Sequence, residues 1–162
     1  SFAKLKTKAE KLTEQVNYLK ERLEIVDHDR RGMYIQLRSL PPYIVDEPPA
    51  LLGDDTAPNP SEASLAALGS CLAVGLHANA VHRGWIVRKL ELQLEGDLNI
   101  TGVWGTGDMS EKPVGFTDVR VKVEMECDGI AQSEIDALIT HVKKWSPVAN
   151  TFTRPVNLEL SL

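Results

Sequence analysis

The stretch Ala66-Ala67-Leu68-Gly69-Ser70-Cys71-Leu72-Ala73 lies in the longest apolar window of the chain, which runs from Ala63 to Val81. Polar residues and glycines interrupt this window at Ser64, Gly69, Ser70, Gly75, His77 and Asn79. Because such interruptions suit a protein core better than a lipid bilayer, the window predicts a buried central helix. Pro60-Ser61-Glu62 begins this helix with a polar residue and a carboxylate, and Gly84 ends it.

Three segments after the central helix alternate apolar and polar residues with a period of two, which predicts strands with one buried face. Their apolar residues are Leu90, Leu92 and Leu94, then Val119, Val121, Val123 and Met125, then Val156, Leu158, Leu160 and Leu162. A further helix is predicted from Ser133 to Trp145, with Ser133 and Asp136 as its capping pair. Ser146-Pro147 ends this helix, and Gly102 to Pro113 predicts a loop or a ragged hairpin.

Before the central helix, Phe2 to Val26 carries apolar residues at every position of a heptad pattern, which predicts an amphipathic helix. This helix either reaches a second subunit or lies along its own domain. Met33 to Arg38 predicts a strand, and Ser39 to Pro60 predicts an extended, proline-rich connection. The order of elements favours an α+β domain at residues 32–162, preceded by the N-terminal helix at residues 1–31.

Composition and charge narrow the classes of function. The chain of 162 residues carries 18 Lys and Arg against 23 Asp and Glu, a net charge of −5. This acidic balance argues against nucleic acid or an anionic membrane as a partner. Two cysteines are too few for a disulfide scaffold, and no basic segment followed by an apolar one begins the sequence. We therefore expect a cytoplasmic protein.

Cys71 is the residue of the central helix most capable of chemistry. Taken alone, a free cysteine in an apolar helix is more often an inert core residue than a nucleophile. The nucleophilic alternative needs a cation from another segment, because Cys71 lies about ten residues from the helix N-terminus, beyond the reach of the helix dipole. His77 lies about 120° around the helix from Cys71, so it is an unsuitable partner.

The other histidines and the second cysteine predict no site. His28, His77, His82 and His141 show no metal-ligand spacing, so neither a metal nor a cofactor is predicted. Cys127 ends a strand just before the turn residues Asp128-Gly129, which is typical of a structural cysteine. A disulfide between Cys127 and Cys71 is not favoured in a reducing compartment.

Short motifs on both sides of Cys71 occur in a characteristic order. They are Asp46-Glu47-Pro48, Gly53-Asp54-Asp55, Pro58-Asn59-Pro60, Ala66-Ala67-Leu68-Gly69-Ser70-Cys71, Leu94-Glu95-Gly96-Asp97, Gly115-Phe116 and Ser146-Pro147-Val148-Ala149-Asn150-Thr151. From about Met33 to the C-terminus, the chain thereby resembles the OsmC/Ohr family of osmotically inducible and organic hydroperoxide resistance proteins. The resemblance implies an OsmC-like α+β fold, in which a largely antiparallel sheet wraps around a long buried central helix and two chains form an intertwined homodimer.

The resemblance also implies a site. Cys71 falls on the position of the peroxidatic cysteine, which is oxidised to a sulfenic acid, and Arg38 is the best match to an arginine that holds the thiolate from an early strand. Two positions depart from the pattern. Ser61 stands where a glutamate is expected, with Glu62 one place later, and Ser146 stands where the resolving cysteine is expected. Because a serine cannot form a disulfide with the oxidised cysteine, an external thiol would have to reduce it.

From the resemblance we expect a thiol-dependent peroxidase that reduces organic hydroperoxides or hydrogen peroxide through Cys71, at the interface of a homodimer. The alternative is a catalytically silent module of the same fold that binds a small hydrophobic ligand in the pocket at the dimer interface. A third interpretation, a purely structural dimer that binds a partner, rests only on the N-terminal heptad pattern.

Overall fold

In the computed structural model, residues 7, 10–13, 33–35, 37–100, 102–105 and 113–161 are described. The chain divides into two compact units, Ser1–Ala63 and Ser64–Leu162. Thr7 and residues 10–13 are helical, and the remainder of the predicted N-terminal helix lies outside the described residues. The predicted boundary between residues 31 and 32 also lies outside them and stays a prediction.

The first unit contains two short antiparallel strands. Strand β1 (Met33–Ile35) pairs with strand β2 (Tyr43–Val45), so that Met33 lies opposite Val45. Arg38 lies in the turn between them with a φ of 54°, and the N–H of Leu40 donates to the carbonyl of Leu37. The prediction of a strand that reaches Arg38 is therefore wrong. The left-handed backbone of Arg38 reverses the chain so that β2 can pair with β1.

The proline-rich connection is organised around the carboxylate of Asp46 rather than extended as predicted. Asp46 is only 5% exposed and accepts hydrogen bonds from the N–H groups of Glu47, Asp54 and Thr56 and from the hydroxyl of Thr56. These bonds, the one from the Thr56 N–H first, lower the pKa of Asp46. The loop includes a 3-10 helix at Pro49–Leu51. Gly53 is required there, since a Cβ would lie 1.8 Å from the carbonyl oxygen of Glu47.

Helix α1 (Pro60–His82) is the predicted central helix. The Asn59 side chain accepts hydrogen bonds from the N–H groups of Ser61 and Glu62, both at 2.9 Å, and the Glu62 carboxylate accepts the N–H of Asn59. This reciprocal cap satisfies N–H groups that the first helical turn would otherwise leave unpaired. Gly84 follows the helix with a φ of 76°, which confirms the predicted end.

One face of α1 packs in the core and the opposite face is open to solvent. The buried residues are Leu68, Gly69, Leu72, Leu76 and Ala80. Val74 is 68% exposed and Val81 is 55% exposed. By length and composition alone the helix could cross a membrane, with a mean hydropathy of 1.4 over 18 residues. A helix also has this composition when one of its apolar faces packs on a sheet and its other apolar face packs against another protein surface.

Two long strands form the sheet against which α1 packs. Strand β3 (Val87–Asn99) and strand β4 (Gly115–Cys127) are antiparallel, with Leu92 opposite Val123 and Leu94 opposite Val121. Their alternating apolar residues pack against the buried face of α1, as the period of two predicts. Gly69 allows this close approach, because a Cβ there would lie 2.9 Å from a methyl group of Leu94.

Helix α2 (Gln132–Trp145) completes the core through Ile135, Leu138 and Val142. Its N-cap residue is Ala131, without a side-chain hydrogen bond, so the predicted capping role of Ser133 is wrong. The carboxylate of Asp136 instead accepts from the side chain of Gln132. After Ser146 the chain begins a short helix that the sequence did not indicate, α3 (Pro147–Thr153).

The predicted last strand is absent from residues 155–161, which have no regular secondary structure. Val156 is 65% exposed, Leu158 is 79% exposed and Leu160 is 91% exposed. Leu162 lies outside the described residues. An alternating segment becomes a strand only when a neighbouring strand offers hydrogen bonds, and residues 155–161 pair with no described strand.

Candidate functional site

The candidate site is centred on the thiol of Cys71. Cys71 lies in the middle of α1, beside Leu72 of the buried face, and is itself half-buried and not in a disulfide. Its Sγ atom lies 3.2 Å from the Oγ atom of Ser146, although the two residues are 75 positions apart in the chain. The structure therefore brings together the predicted nucleophile and the serine at the position expected for a resolving cysteine.

The Ser146 hydroxyl is held in place by its position between two helices. Ser146 is 5% exposed, and its N–H donates to the carbonyl of Val142 at 2.8 Å, which ends α2. Its Oγ atom accepts the N–H of Ala149 at 3.1 Å, which caps the start of α3. Its carbonyl accepts from the backbone and the side chain of Asn150. With these bonds in place, the hydroxyl has little freedom to turn away from Cys71.

The hydrogen-bond capacity of a hydroxyl decides what Ser146 can do for Cys71. A hydroxyl carries one proton to donate and two lone pairs that accept. The Ala149 N–H occupies one lone pair, and the proton remains available to the sulfur. When Cys71 is a thiolate, it can only accept, so Ser146 donates to it in a charge-assisted hydrogen bond.

The second cysteine has the opposite environment. Cys127 ends β4, and burial, followed by the negative charge of Asp128, raises its pKa. The thiol of Cys127 therefore stays protonated at neutral pH and is a poor nucleophile. Both cysteines are free, in agreement with the expected absence of a disulfide.

The remaining predicted site residues lie elsewhere. Arg38 is exposed in the turn of the first unit and not on a strand, so its pairing with Cys71 stays a prediction of the resemblance. The carboxylate of Glu62 is engaged in the cap of α1 with Asn59, and Ser61 contributes its backbone N–H to that cap. His77 is exposed on α1.

The described ranges contain no set of side chains suited to bind a metal ion. No group of three or more His, Cys, Asp or Glu side chains lies close enough together there to hold a metal ion. The groups that the structure brings together at the candidate site are the Cys71 sulfur and the Ser146 hydroxyl.

Comparison with known proteins identifies the family of this chain. The family profile described as OsmC-like protein matches residues 53–161, about two thirds of the chain. The chain belongs to the OsmC-like family. Cys71 and Ser146 both lie within the matched range. No curated protein matches the sequence.

Solved structures show the same fold at low sequence identity. An OsmC-like protein from Mycoplasma pneumoniae aligns with a TM-score of 0.61 and 18% identity over 75% of this chain and 79% of its own. An OsmC-like protein of unknown function from Vibrio cholerae aligns with a TM-score of 0.60 and 17% identity over 75% and 78%. An organic hydroperoxide resistance protein OsmC from Legionella pneumophila aligns with a TM-score of 0.50 and 19% identity over 75% and 86%. The predicted OsmC-like α+β fold is confirmed.

Proposed function

We propose that this OsmC-like protein is a thiol-dependent peroxidase that reduces organic hydroperoxides or hydrogen peroxide through the single reactive cysteine Cys71. The observation that carries the proposal is the 3.2 Å contact between Cys71 Sγ and the buried, doubly anchored hydroxyl of Ser146. Support also comes from the Legionella pneumophila structure, whose protein is described as an organic hydroperoxide resistance protein.

In the first step the Cys71 thiolate attacks one oxygen of the hydroperoxide. A sulfur–oxygen bond forms, the oxygen–oxygen bond breaks, and the leaving alkoxide takes up a proton to become an alcohol, or water from hydrogen peroxide. The sulfur loses two electrons and becomes a sulfenic acid. The Ser146 hydroxyl lies 3.2 Å from the sulfur and can donate its proton to the thiolate in a charge-assisted hydrogen bond as the attack begins.

In the second step an external thiol returns the sulfur to its reduced state. Its thiolate attacks the sulfenic sulfur, hydroxide leaves and is protonated to water, and a mixed disulfide forms with Cys71. A second external thiol attacks the mixed disulfide, releasing Cys71 as a thiol and the two external thiols as their disulfide. Ser146 cannot replace the external thiol, because an oxygen atom forms no disulfide.

The proposal retains Arg38 as the residue that stabilises the thiolate, a role that rests on the resemblance. It also retains the homodimer, for which the exposed apolar side chains of Val74 and Val81 on α1 are the support. A second copy of the chain could cover this face with its own α1, since small residues at Ala67, Ser70 and Ala78 would allow two helices to approach closely. A reducing compartment such as the cytoplasm is consistent with two free thiols.

The test is the second-order rate of Cys71 oxidation by cumene hydroperoxide and by hydrogen peroxide, followed by intact mass in the Cys127→Ser background. The expected result is a rate far above that of free cysteine, with a sulfenic acid on Cys71 that dithiothreitol reverses. The matched control is the Cys71→Ser variant, which should consume no peroxide. A Cys71 rate equal to that of free cysteine would overturn the proposal and favour the catalytically silent alternative.

A second measurement tests the role of Arg38 and the dimer. In an Arg38→Gln variant, Cys71 should oxidise more slowly than in the unmodified protein, because the cation proposed to hold the thiolate is absent. Light scattering at micromolar concentration should give the mass of two chains. An unchanged oxidation rate would remove Arg38 from the site, and the mass of one chain would remove the interface.

A further inference from the structure

Two adjoining cavities lie in the second unit, where α2 meets α3. The first has a volume of about 240 Å³ and is lined mostly by apolar side chains, with Leu72, Val121, Ile139 and Phe152 among them. The second, of about 360 Å³, has the exposed residues Lys143, Lys144 and Arg154 in its wall. Both cavities include Lys143, Ala149 and Thr153 in their walls, so they form one site with an apolar end and a cationic end.

Among the described residues, the three cations of this site have no carboxylate partner, unlike the cations of the strands. In the described part of the chain, no Asp or Glu oxygen lies within 4.0 Å of the charged nitrogens of Lys143, Lys144 or Arg154. The Nζ atom of Lys144 lies 5.6 Å from the ring centroid of Trp145, a contact that leaves its charge uncompensated. In a protein with a net charge of −5, three uncompensated cations beside one cavity favour an anion as ligand.

The volume of the apolar cavity sets the size of the apolar part of the ligand. A cavity of about 150 Å³ lined by Leu, Ile and Phe holds one benzene molecule, which has six carbons. By that proportion, 240 Å³ holds about ten carbons of an alkyl chain. Burying such a chain against valine, leucine and phenylalanine side chains gains free energy roughly in proportion to the area removed from water.

We propose that this site binds a single-chain amphiphile, with an alkyl chain of about ten carbons in the apolar cavity and a carboxylate or phosphate head group at Lys143 and Arg154. The proposal goes beyond the peroxidase activity, because Cys71 is not part of either cavity wall. A Cys71→Ser variant therefore retains the binding even if the peroxidase proposal fails.

The probes are decanoate, 1-decanol and acetate, titrated separately into the full chain in a calorimeter, with decanoate below its micelle concentration. We expect saturable binding of one decanoate per chain, binding of 1-decanol at least about tenfold weaker, and no detectable binding of acetate. Raising the salt concentration should weaken the binding of decanoate and leave that of 1-decanol unchanged, because only the first has a charge to screen.

Variants at exposed positions separate the two ends of the site. The double variant Lys143→Gln with Arg154→Gln should weaken decanoate at least about tenfold and leave 1-decanol unchanged. Thr153→Phe, at an exposed position in both cavity walls, should weaken both ligands by filling the junction. The matched control is Lys122→Gln, which removes an exposed cation of β4 and should change neither affinity.

Several results would overturn the proposal. Equal binding of acetate and decanoate would make the site a simple anion site, and equal affinity for decanoate in the double variant and in Lys122→Gln would remove the cations from it. Flotation with phosphatidylglycerol vesicles, together with no binding of free decanoate, would replace the single-chain ligand with a membrane surface. Unsaturable binding in every variant, Thr153→Phe included, would show adsorption of a surfactant to the protein rather than a site.

Discussion

The β3–β4 hairpin and the α2–α3 junction differ in whether their Lys and Arg side chains form ion pairs. Every Lys and Arg of β3 and β4 has a carboxylate partner. The pairs are Arg88 with Asp128, Lys89 and Lys122 with Glu124, and Arg120 with Asp97. At the junction, Lys143, Lys144 and Arg154 have none among the described residues. The first region uses charge to pair its own strands, whereas the cations of the second are exposed to solvent.

The difference extends to the groups that could react. In the hairpin, Cys127 has a raised pKa beside Asp128, which suppresses its thiolate. At the junction, the Ser146 hydroxyl lies 3.2 Å from the Cys71 sulfur and is anchored by backbone hydrogen bonds with α2 and α3. Exposed ion pairs contribute little net free energy, so the hairpin gains chiefly its register from them. The junction instead gains a fixed hydroxyl group, that of Ser146, beside the sulfur of Cys71.

The largest effect should come from the core that both regions share. Leu138 of α2 is fully buried, so Leu138→Ala should lower the free energy of unfolding by about 2–5 kcal/mol through lost burial and a cavity. Leu92→Ala in the half-buried wall of β3 should cost less, because Leu92 is partly exposed already. Urea denaturation of both variants measures the difference. If Leu92→Ala lowered the free energy of unfolding more than Leu138→Ala, the hairpin would contribute more to the stability of the core than α2.

The next effect should come from the Ser146 hydroxyl. Ser146→Ala removes both the cap of α3 and the donor to Cys71, so it should cost about 1 kcal/mol of stability and slow Cys71 oxidation about tenfold. Thr151→Ala is the control, since the exposed Thr151 hydroxyl bonds only to a carbonyl within α3. Equal oxidation rates in the two variants would remove Ser146 from the chemistry.

The smallest effect should come from the ion pairs of the hairpin. Lys122, followed by Lys89, lowers the pKa of Glu124 from 4.5 to about 2. Because the folded pKa lies below the unfolded one, this carboxylate stabilises the fold above pH 4.5 and loses that contribution as the pH falls towards 2. In Glu124→Gln, the melting temperature should therefore fall less between these two pH values than it does in the unmodified protein.

The control for Glu124→Gln is Glu134→Gln at the start of α2, which should leave the acid limb of the stability curve as it is in the unmodified protein. Solvent screening makes the expected difference small, so it should diminish further in high salt. An identical acid limb in both variants would show that the ion pairs of Glu124 contribute nothing to the fold.

Much of the fold could be predicted because its signals are local. The apolar window and its flanking Pro60 and Gly84 predicted α1, and the period of two predicted β3 and β4. Each of these patterns depends on residues a few positions apart, where backbone geometry decides which side chains share a face. The order of motifs around Cys71 predicted the family for the same reason, since it is written along the chain.

The predictions that were wrong concern features that depend on residues distant in sequence, or on hydrogen bonds that no sequence pattern indicates. Arg38 has a left-handed backbone because the chain must turn for β2 to pair with β1. The alternation from Val156 onward predicts a strand correctly only if a strand edge lies beside it, and none does in the described part of the chain. Ser133 has the residue type of a cap, yet α2 begins one residue before it.

The sequence by itself determined the central helix, the long hairpin, the family and the identity of Cys71 as the candidate nucleophile. The tertiary structure decided that Ser146, 75 residues later, lies 3.2 Å from that sulfur and caps a helix with the same oxygen. It also decided that Lys143, Lys144 and Arg154, which have no carboxylate partner among the described residues, lie in the wall of one cavity. Periodicity specifies which face of an element is buried, but only the packing of elements decides which distant side chains meet.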